Sequence, residues 1–420
     1  MTWRLATCLF LVAACDVPTP PSPSGGVPDL AEAEPGPCGR GFSVVESDYQ
    51  SVNVALLGLE GTVLTDSLAS SRVLAGGAGV SLSGDVVLPT DGAAGPLLPL
   101  IDRAASASRV LWLSLATGAL SRSVDVSTGF PSNPHDFLGI SPTKGYVARF
   151  GHNRDPDRER FDHGSDLLVV DPSSGRLLDS IDLRGALGKD RDLHLPRPDK
   201  LVMVGRFVYV LLGTLPLSGF TSTAASRIAM LDTETDSLQD VLVLEGLRGC
   251  SGMALSPAGD ALAVFCSALS DSNGNSQPGF SGVGLVELTP APRLARVLAA
   301  GAWGGAPVGS SGAYAGDRTL LLTTFGRFSA LGEAEAQDAL WALDVESGRA
   351  RELLKSDGVP FTLGSVACAP ACGQCVVADA ERQGGLVHHY QLDADGNVLS
   401  HATIKVESRF GLPPRDVGRF

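Results

Sequence analysis

The chain predicts an all-β fold, a seven-bladed β-propeller of four-stranded antiparallel blades, and three observations predict it. A charged hairpin recurs seven times, a more apolar hairpin lies between successive copies, and glycine is abundant, with 50 in 420 residues, as closely spaced turns require. One outer and one inner hairpin per repeat make a four-stranded sheet, and radial repetition of such sheets leaves only short edges. Six or eight blades also fit the spacing.

The chain begins MTWRLATCLFLVAAC. Arg4 gives a small positive start, and Leu5 to Ala14 is an apolar run too short to span a bilayer but suited to a secretory signal. Val12-Ala13-Ala14-Cys15 resembles the lipobox of bacterial lipoproteins. The resemblance implies a signal peptide over residues 1–14 and a lipid on Cys15; an ordinary signal cleaved nearby is the alternative. Residues 15–40 are rich in Pro, Ser and Gly and nearly empty of large apolar side chains, which predicts an extended tether. The expected location is the bacterial cell envelope, exported and lipid-anchored, with inner and outer membrane both open. One propeller domain is expected over residues 41–420.

Within that domain the outer hairpins come in order: Val52 to Leu64, Arg109 to Val126, Asp166 to Leu183, Arg227 to Val243, Gly282 to Leu298, Ala339 to Leu354 and Leu386 to Ile404. The third, DLLVVDPSSGRLLDSIDL, shows the logic: a β-prone run, a turn of Asp171-Pro172-Ser173-Ser174-Gly175, and a return strand with Leu177, Ile181 and Leu183 on one face. The inner hairpins are Gly79 to Pro89, Phe137 to Phe150, Lys200 to Leu212, Cys250 to Cys266, Ala313 to Thr323 and Gly364 to Ala378. Their low charge suits strands near a shared core.

Ser256-Pro257-Ala258-Gly259-Asp260 with the apolar run after it, and less closely Ser141-Pro142-Thr143-Lys144-Gly145, resemble the S-P-x-G turn of YVTN-type β-propeller repeats. The partner signature, an apolar run, Asp, then a Gly, stands at Val169-Val170-Asp171 with Gly175 and at Ala342-Leu343-Asp344 with Gly348. The resemblance implies the propeller and says little about function. Six inner hairpins accompany seven outer ones, so the first blade must be completed from elsewhere. Phe42 to Glu46 offers one strand and the C-terminal tail ESRFGLPPRDVGRF the innermost.

Beyond Cys8 and Cys15, six cysteines remain, and in an exported chain they suggest disulfides. Cys250 and Cys266 are equidistant from the centre of the SPAGD turn and should face each other across adjacent strands; their loop is worth about 3 kcal/mol in the chain-entropy model. Symmetry about Ala371-Cys372 favours Cys368 with Cys375, leaving Cys372 for Cys38, with other pairings open. The C-x3-C-x2-C spacing of these three resembles the cluster ligands of radical SAM enzymes, but an exported all-β chain does not suit that reading. No fourth ligand completes a zinc site.

The formal net charge of −14 argues against nucleic acid and against a polybasic membrane patch. The Asp271 to Gln277 loop lacks a full calcium pattern. The polar loop from Gly151 to Asp166 gathers His152, Asp155, Asp157, Glu159, Asp162 and His163, but interleaved Arg154, Arg158 and Arg160 make internal ion pairing the cheaper explanation than a metal. Its length marks it as a candidate binding loop, with His152, Asp155, Asp157 and His163 as its residues. His135 and Asp136, before an inner strand, and His194 are candidates to face a central channel. There is no nucleophile elbow, phosphate loop or H-E-x-x-H. No catalytic residue, metal ligand or cofactor is therefore assigned. The chain is expected to be a monomeric envelope scaffold that binds a protein, peptide or glycan. The alternative is a propeller enzyme, similar to lactonases or quinoprotein dehydrogenases, with its site in the channel. Carboxylates and His converging in the channel would favour the alternative; a lining of Gly, Ser and apolar residues would disfavour it.

Overall fold

The computed structural model describes residues 25–32, 35–71, 81–92, 95–219, 221–381, 385–406 and 410–420. Seven four-stranded antiparallel sheets form the ring. In chain order, blade 1 holds Gly41–Ser47, Val52–Gly58 and Val63–Ser70, and its innermost strand is Pro414–Arg419 from the other end of the chain. Phe42 pairs with Arg419 and Val44 with Val417, so the ring closes by mixing both chain ends in one sheet. Blades 3 to 7 begin their inner strands at Pro134, Pro198, Cys250, Val308 and Leu363.

The two middle strands of a blade have another blade on each face, which is why they read as unbroken apolar runs. Gly41–Ser47 is buried at every position. Its alternate residues serve different seams: Val44 packs toward blade 7 and Val45 toward blade 2. The outermost strands, such as Arg293–Ala299, are mostly exposed and carry the charge. The recurrent Asp at the outer turn has one job throughout. Asp171 accepts the backbone N–H of Ser173 at 2.8 Å, Asp232 that of Glu234 at 2.9 Å, and Asp344 that of Ser347 at 2.7 Å. At Asp171, hydroxyl and N–H donors from Ser173 and Ser174 hold the carboxyl down to about 2.

Two expectations need correction. The inner pair of blade 2 is not a hairpin over Gly79 to Pro89: among the described residues of that span, 81–89, only Val86–Val87 is a strand, and it pairs with Leu97–Asp102. Ser83-Gly84-Asp85 has turn chemistry, but Ser83 bonds Asp102 and Asp85 bonds Arg103, so the segment braces the start of the inner strand. The described part of the 15–40 stretch also lies against the ring. Gly25 accepts the Thr65 hydroxyl at 3.0 Å, Val27 N–H donates to Leu115 at 2.7 Å, and Leu30 packs into the seam of blades 1 and 2. A few apolar residues and a disulfide suffice to dock a segment that composition alone reads as a tether. Cys15 and the signal segment lie outside the described residues.

All three cysteine pairs form: Cys38 with Cys372, Cys250 with Cys266, and Cys368 with Cys375. The last two are cross-strand pairs, with Cys250 opposite Cys266 and Cys368 opposite Cys375 in register. The first joins the N-terminal segment to blade 7.

Candidate binding channel

The inner strands enclose a channel of about 1360 Å³, and its wall is uneven. Blades 5 to 7 present mostly Ser, Gly and small apolar residues, among them Ser251, Gly252, Ser310, Gly312 and Gly364, with Tyr314, Phe361, Asp317 and Asp393 also in the lining. Blades 1 to 4 present the chemistry: Asp91, His135, Asp199, Lys200, Arg415 and Arg419.

That sector is assembled by Asp136, which is fully buried. Its carboxylate accepts the Thr90 N–H at 2.9 Å, the Thr90 hydroxyl at 2.7 Å, the Leu201 N–H at 2.8 Å and its own neighbour's Phe137 N–H at 2.9 Å. Blades 2, 3 and 4 are thereby clasped together, and Asp91, His135 and Lys200 each lie one residue from a member of the clasp. The same device recurs: Ser311 accepts from Val366 N–H at 2.9 Å, Ser365 from Val417 N–H at 2.6 Å, and Asp416 from Leu88 N–H at 2.7 Å. Each joins one inner strand to the next. Asp136 thus holds the wall rather than offering itself to a ligand. Burial pushes its carboxyl up, opposed by the Lys200 charge and the Thr90 and Leu201 donors.

His135 does line the channel. Its Nδ1 lies 3.1 Å from Asp199 Oδ1 on the neighbouring blade, and its ring stacks on Phe150 with centroids 4.2 Å apart and planes 6° from parallel. Asp91 is exposed in the channel lining, yet the protein crowding it pushes its carboxyl up to about 6; the Asp136 charge adds to this and Arg419 opposes it.

His194 is not among the channel-lining residues. It sits in a two-stranded ribbon with Leu215–Pro216, its Nε2 2.9 Å from the Thr223 hydroxyl. The 151–166 loop is built on internal contacts. Asp162 accepts three backbone N–H groups, from Asp157, Arg158 and Glu159, and these donors hold its carboxyl below the usual range. Asp155 pairs with Arg158, and His163 Nε2 lies 3.2 Å from Asp157. His152 is exposed at the end of its strand, and the protein crowding it together with Arg197 lowers its pKa. Beneath the loop, fully buried Arg149 bonds Asp166 at 2.6 Å and the Phe161 carbonyl at 2.6 Å. Asp155, Asp157 and His163 are thus ion-paired within the loop, His152 stands exposed beside it, and none of the four lines the channel.

Sequence reasoning missed Asp199, Lys200 and Asp91. A signal for the first two exists: Pro134-His135-Asp136, Pro198-Asp199-Lys200 and Pro414-Arg415-Asp416 all open inner strands. Aligning those openings places His135 and Asp199 at equal height on neighbouring blades.

No protein-family model and no curated protein sequence matches the chain. Solved structures do. The β-propeller domain of Cps50 (Swd1) from Myceliophteria thermophila superposes with a TM-score of 0.55 at 12% identity, covering 84% of this chain and 98% of that one. The periplasmic gluconolactonase PpgL of Pseudomonas aeruginosa gives a TM-score of 0.51 at 13% identity, covering 90% of this chain and 98% of that one. At these identities the likeness is one of fold.

Proposed function

We propose that the chain is an exported lipoprotein, acylated on Cys15 and held at a bacterial membrane, whose propeller is a scaffold for an envelope protein, peptide or glycan. The observation that carries the binding reading is the uneven channel: a charged sector held by Asp136 facing a wall in which small residues predominate. Binding sites in proteins are concave and carry a few fixed polar groups, and this wall has that form. The lipobox-like start and three disulfides support export, since disulfides persist in oxidising compartments. Crosslinking the tagged protein in its native envelope, followed by affinity capture, tests the reading. A partner captured by the wild type and lost in Lys200→Glu supports it; identical captures from both chains sink it. Membrane fractionation of Cys15→Ala tests the anchor: release to the soluble fraction is expected, and retention at the wild-type level overturns it.

A further inference from the structure

We propose that His388 and His401 form a metal seat on the outer half of blade 7, with Asp379 as its positioning residue and a divalent transition-metal ion that prefers imidazole nitrogen as its ligand. None of the three residues lines the channel, so the seat stands whether or not the channel binds a partner.

Side-chain alternation builds it. His388 and Tyr390 lie in the strand Leu386–Leu392, His401 lies in the outermost strand Val398–Ile404, and Asp379 ends Gln374–Asp379. Tyr390 is opposite His401 and Thr403 is opposite His388, so the two histidines are diagonal neighbours on one face, within reach for long side chains. That face packs against blade 6: Tyr390, and Val377 in register with His388, join Leu340 and Ala342 in one apolar cluster.

His388 Nδ1 lies 3.2 Å from His401 Nε2, and the ring centroids are 5.4 Å apart. Two nitrogens at about 2.0–2.1 Å from a tetrahedral ion stand about 3.3 Å apart, so a small turn of the exposed His401 ring lets an ion replace the proton that bridges the pair. The other nitrogen of His388, Nε2, donates to Asp379 Oδ2 at 3.1 Å, which leaves the lone pair on Nδ1. A carboxylate behind a histidine in this way orients a metal ligand and raises its basicity. Tyr390 holds the second ring, stacking on His401 with centroids 4.3 Å apart and planes 7° from parallel. Burial, His388 and His389 lower the pKa of His401, which keeps it in the neutral form a metal needs.

Asp379 supplies an independent reason for a cation. Its side chain is 6% exposed, its Oδ1 has no hydrogen-bond partner, and among the described residues it pairs with no Lys or Arg. A buried carboxylate is costly without an opposite charge, and a metal on His388 Nδ1 places that charge on the imidazole the carboxylate already holds. No third His, Cys, Asp or Glu joins the pair among the described residues, so water takes the remaining positions. Imidazole ligands select zinc or copper over magnesium.

The test uses the full chain, stripped of metal with a chelator and titrated calorimetrically with zinc chloride. Saturable binding of one ion per chain is expected, with magnesium chloride giving none. His401→Gln replaces an exposed ring and should weaken zinc binding at least about 10-fold; Asp379→Asn should weaken it about 10–100-fold, the scale of losing the group behind a metal ligand. His163→Gln, which removes an exposed histidine of the 151–166 loop, should bind as wild type does. Nitrogen-15 NMR of the wild-type imidazoles reads the seat without any variant: zinc should shift His388 Nδ1 and His401 Nε2 while His388 Nε2 keeps its proton. A merely structural role for Asp379 would lower the melting temperature of Asp379→Asn and leave its zinc affinity unchanged. A wild type that takes up no zinc, or equal affinity in wild type and His401→Gln, overturns the proposal and leaves a shared proton as all that the pair holds.

Discussion

Replacing Asp136 by Ala should loosen three blades at once. The change removes the acceptor of four donors, and two of them, the backbone N–H groups of Thr90 and Leu201, belong to other blades. Leu201 is fully buried, so its N–H finds no water in exchange. Each orphaned buried donor costs about 1–3 kcal/mol, giving roughly 2–6 for the pair. Relief of the buried carboxylate, whose raised pKa marks an unfavourable burial of charge, offsets part of this. A net loss of about 3 kcal/mol follows. With an unfolding entropy of about 2.1 cal/mol/K per residue over roughly 380 ring residues, Tm should fall by about 4 °C. Scanning calorimetry of Asp136→Ala, Asp136→Asn and the exposed-turn control Asp393→Ala measures it. Asn keeps one acceptor oxygen but turns an N–H toward Leu201, so it should fall between wild type and Ala. An Ala variant that melts within about 1 °C of wild type refutes the clasp.

Arg149→Met should lower stability by about 3–5 kcal/mol in urea titration, because Asp166 is left as an unpaired buried charge. Asp166→Leu in the same chain should restore part of it; equal loss in single and double variants would contradict that cause. Cys38→Ser with Cys372→Ser, closing a separation of 334 residues, should cost more than Cys250→Ser with Cys266→Ser, with a separation of 16: about 6 against about 3 kcal/mol in the chain-entropy model. Guanidinium midpoints decide the order. Asp91 titrates near 6 in the folded chain against 3.8 in its ordinary state, so it binds its proton more tightly when folded. Its contribution is complete below about pH 4 and is lost as pH rises to about 6. Tm of wild type minus that of Asp91→Asn should therefore fall across that window and level off above it; a difference that rises with pH contradicts the assignment.

Local signals sufficed for most of the fold. Turn chemistry at Asp171 and its counterparts, apolar runs of strand length and paired cysteines about a turn are set by neighbours in sequence, and each stands in the structure where the residues place it. Blade 2 escaped because its inner strand is only Val86–Val87 and its partner lies beyond a long connection. There the braced Ser83 to Asp85 segment imitates a turn, since Asp and Ser accept and donate locally in either setting.

The candidate site was legible only in part. His135 is a channel residue from its place at the head of an inner strand, as the sequence suggests. That Asp136 is a clasp and Asp199 is the partner of His135 depends on which blades are neighbours at which height, and nothing local encodes it. The sequence by itself determined the repeating sheet, its turns and its cross-strand disulfides, because these follow from side-chain alternation and contacts across one turn. The tertiary structure alone decided the charged sector of the channel, because closing the ring by Pro414–Arg419 sets the inner strands side by side and lets one buried carboxylate draw three of them together.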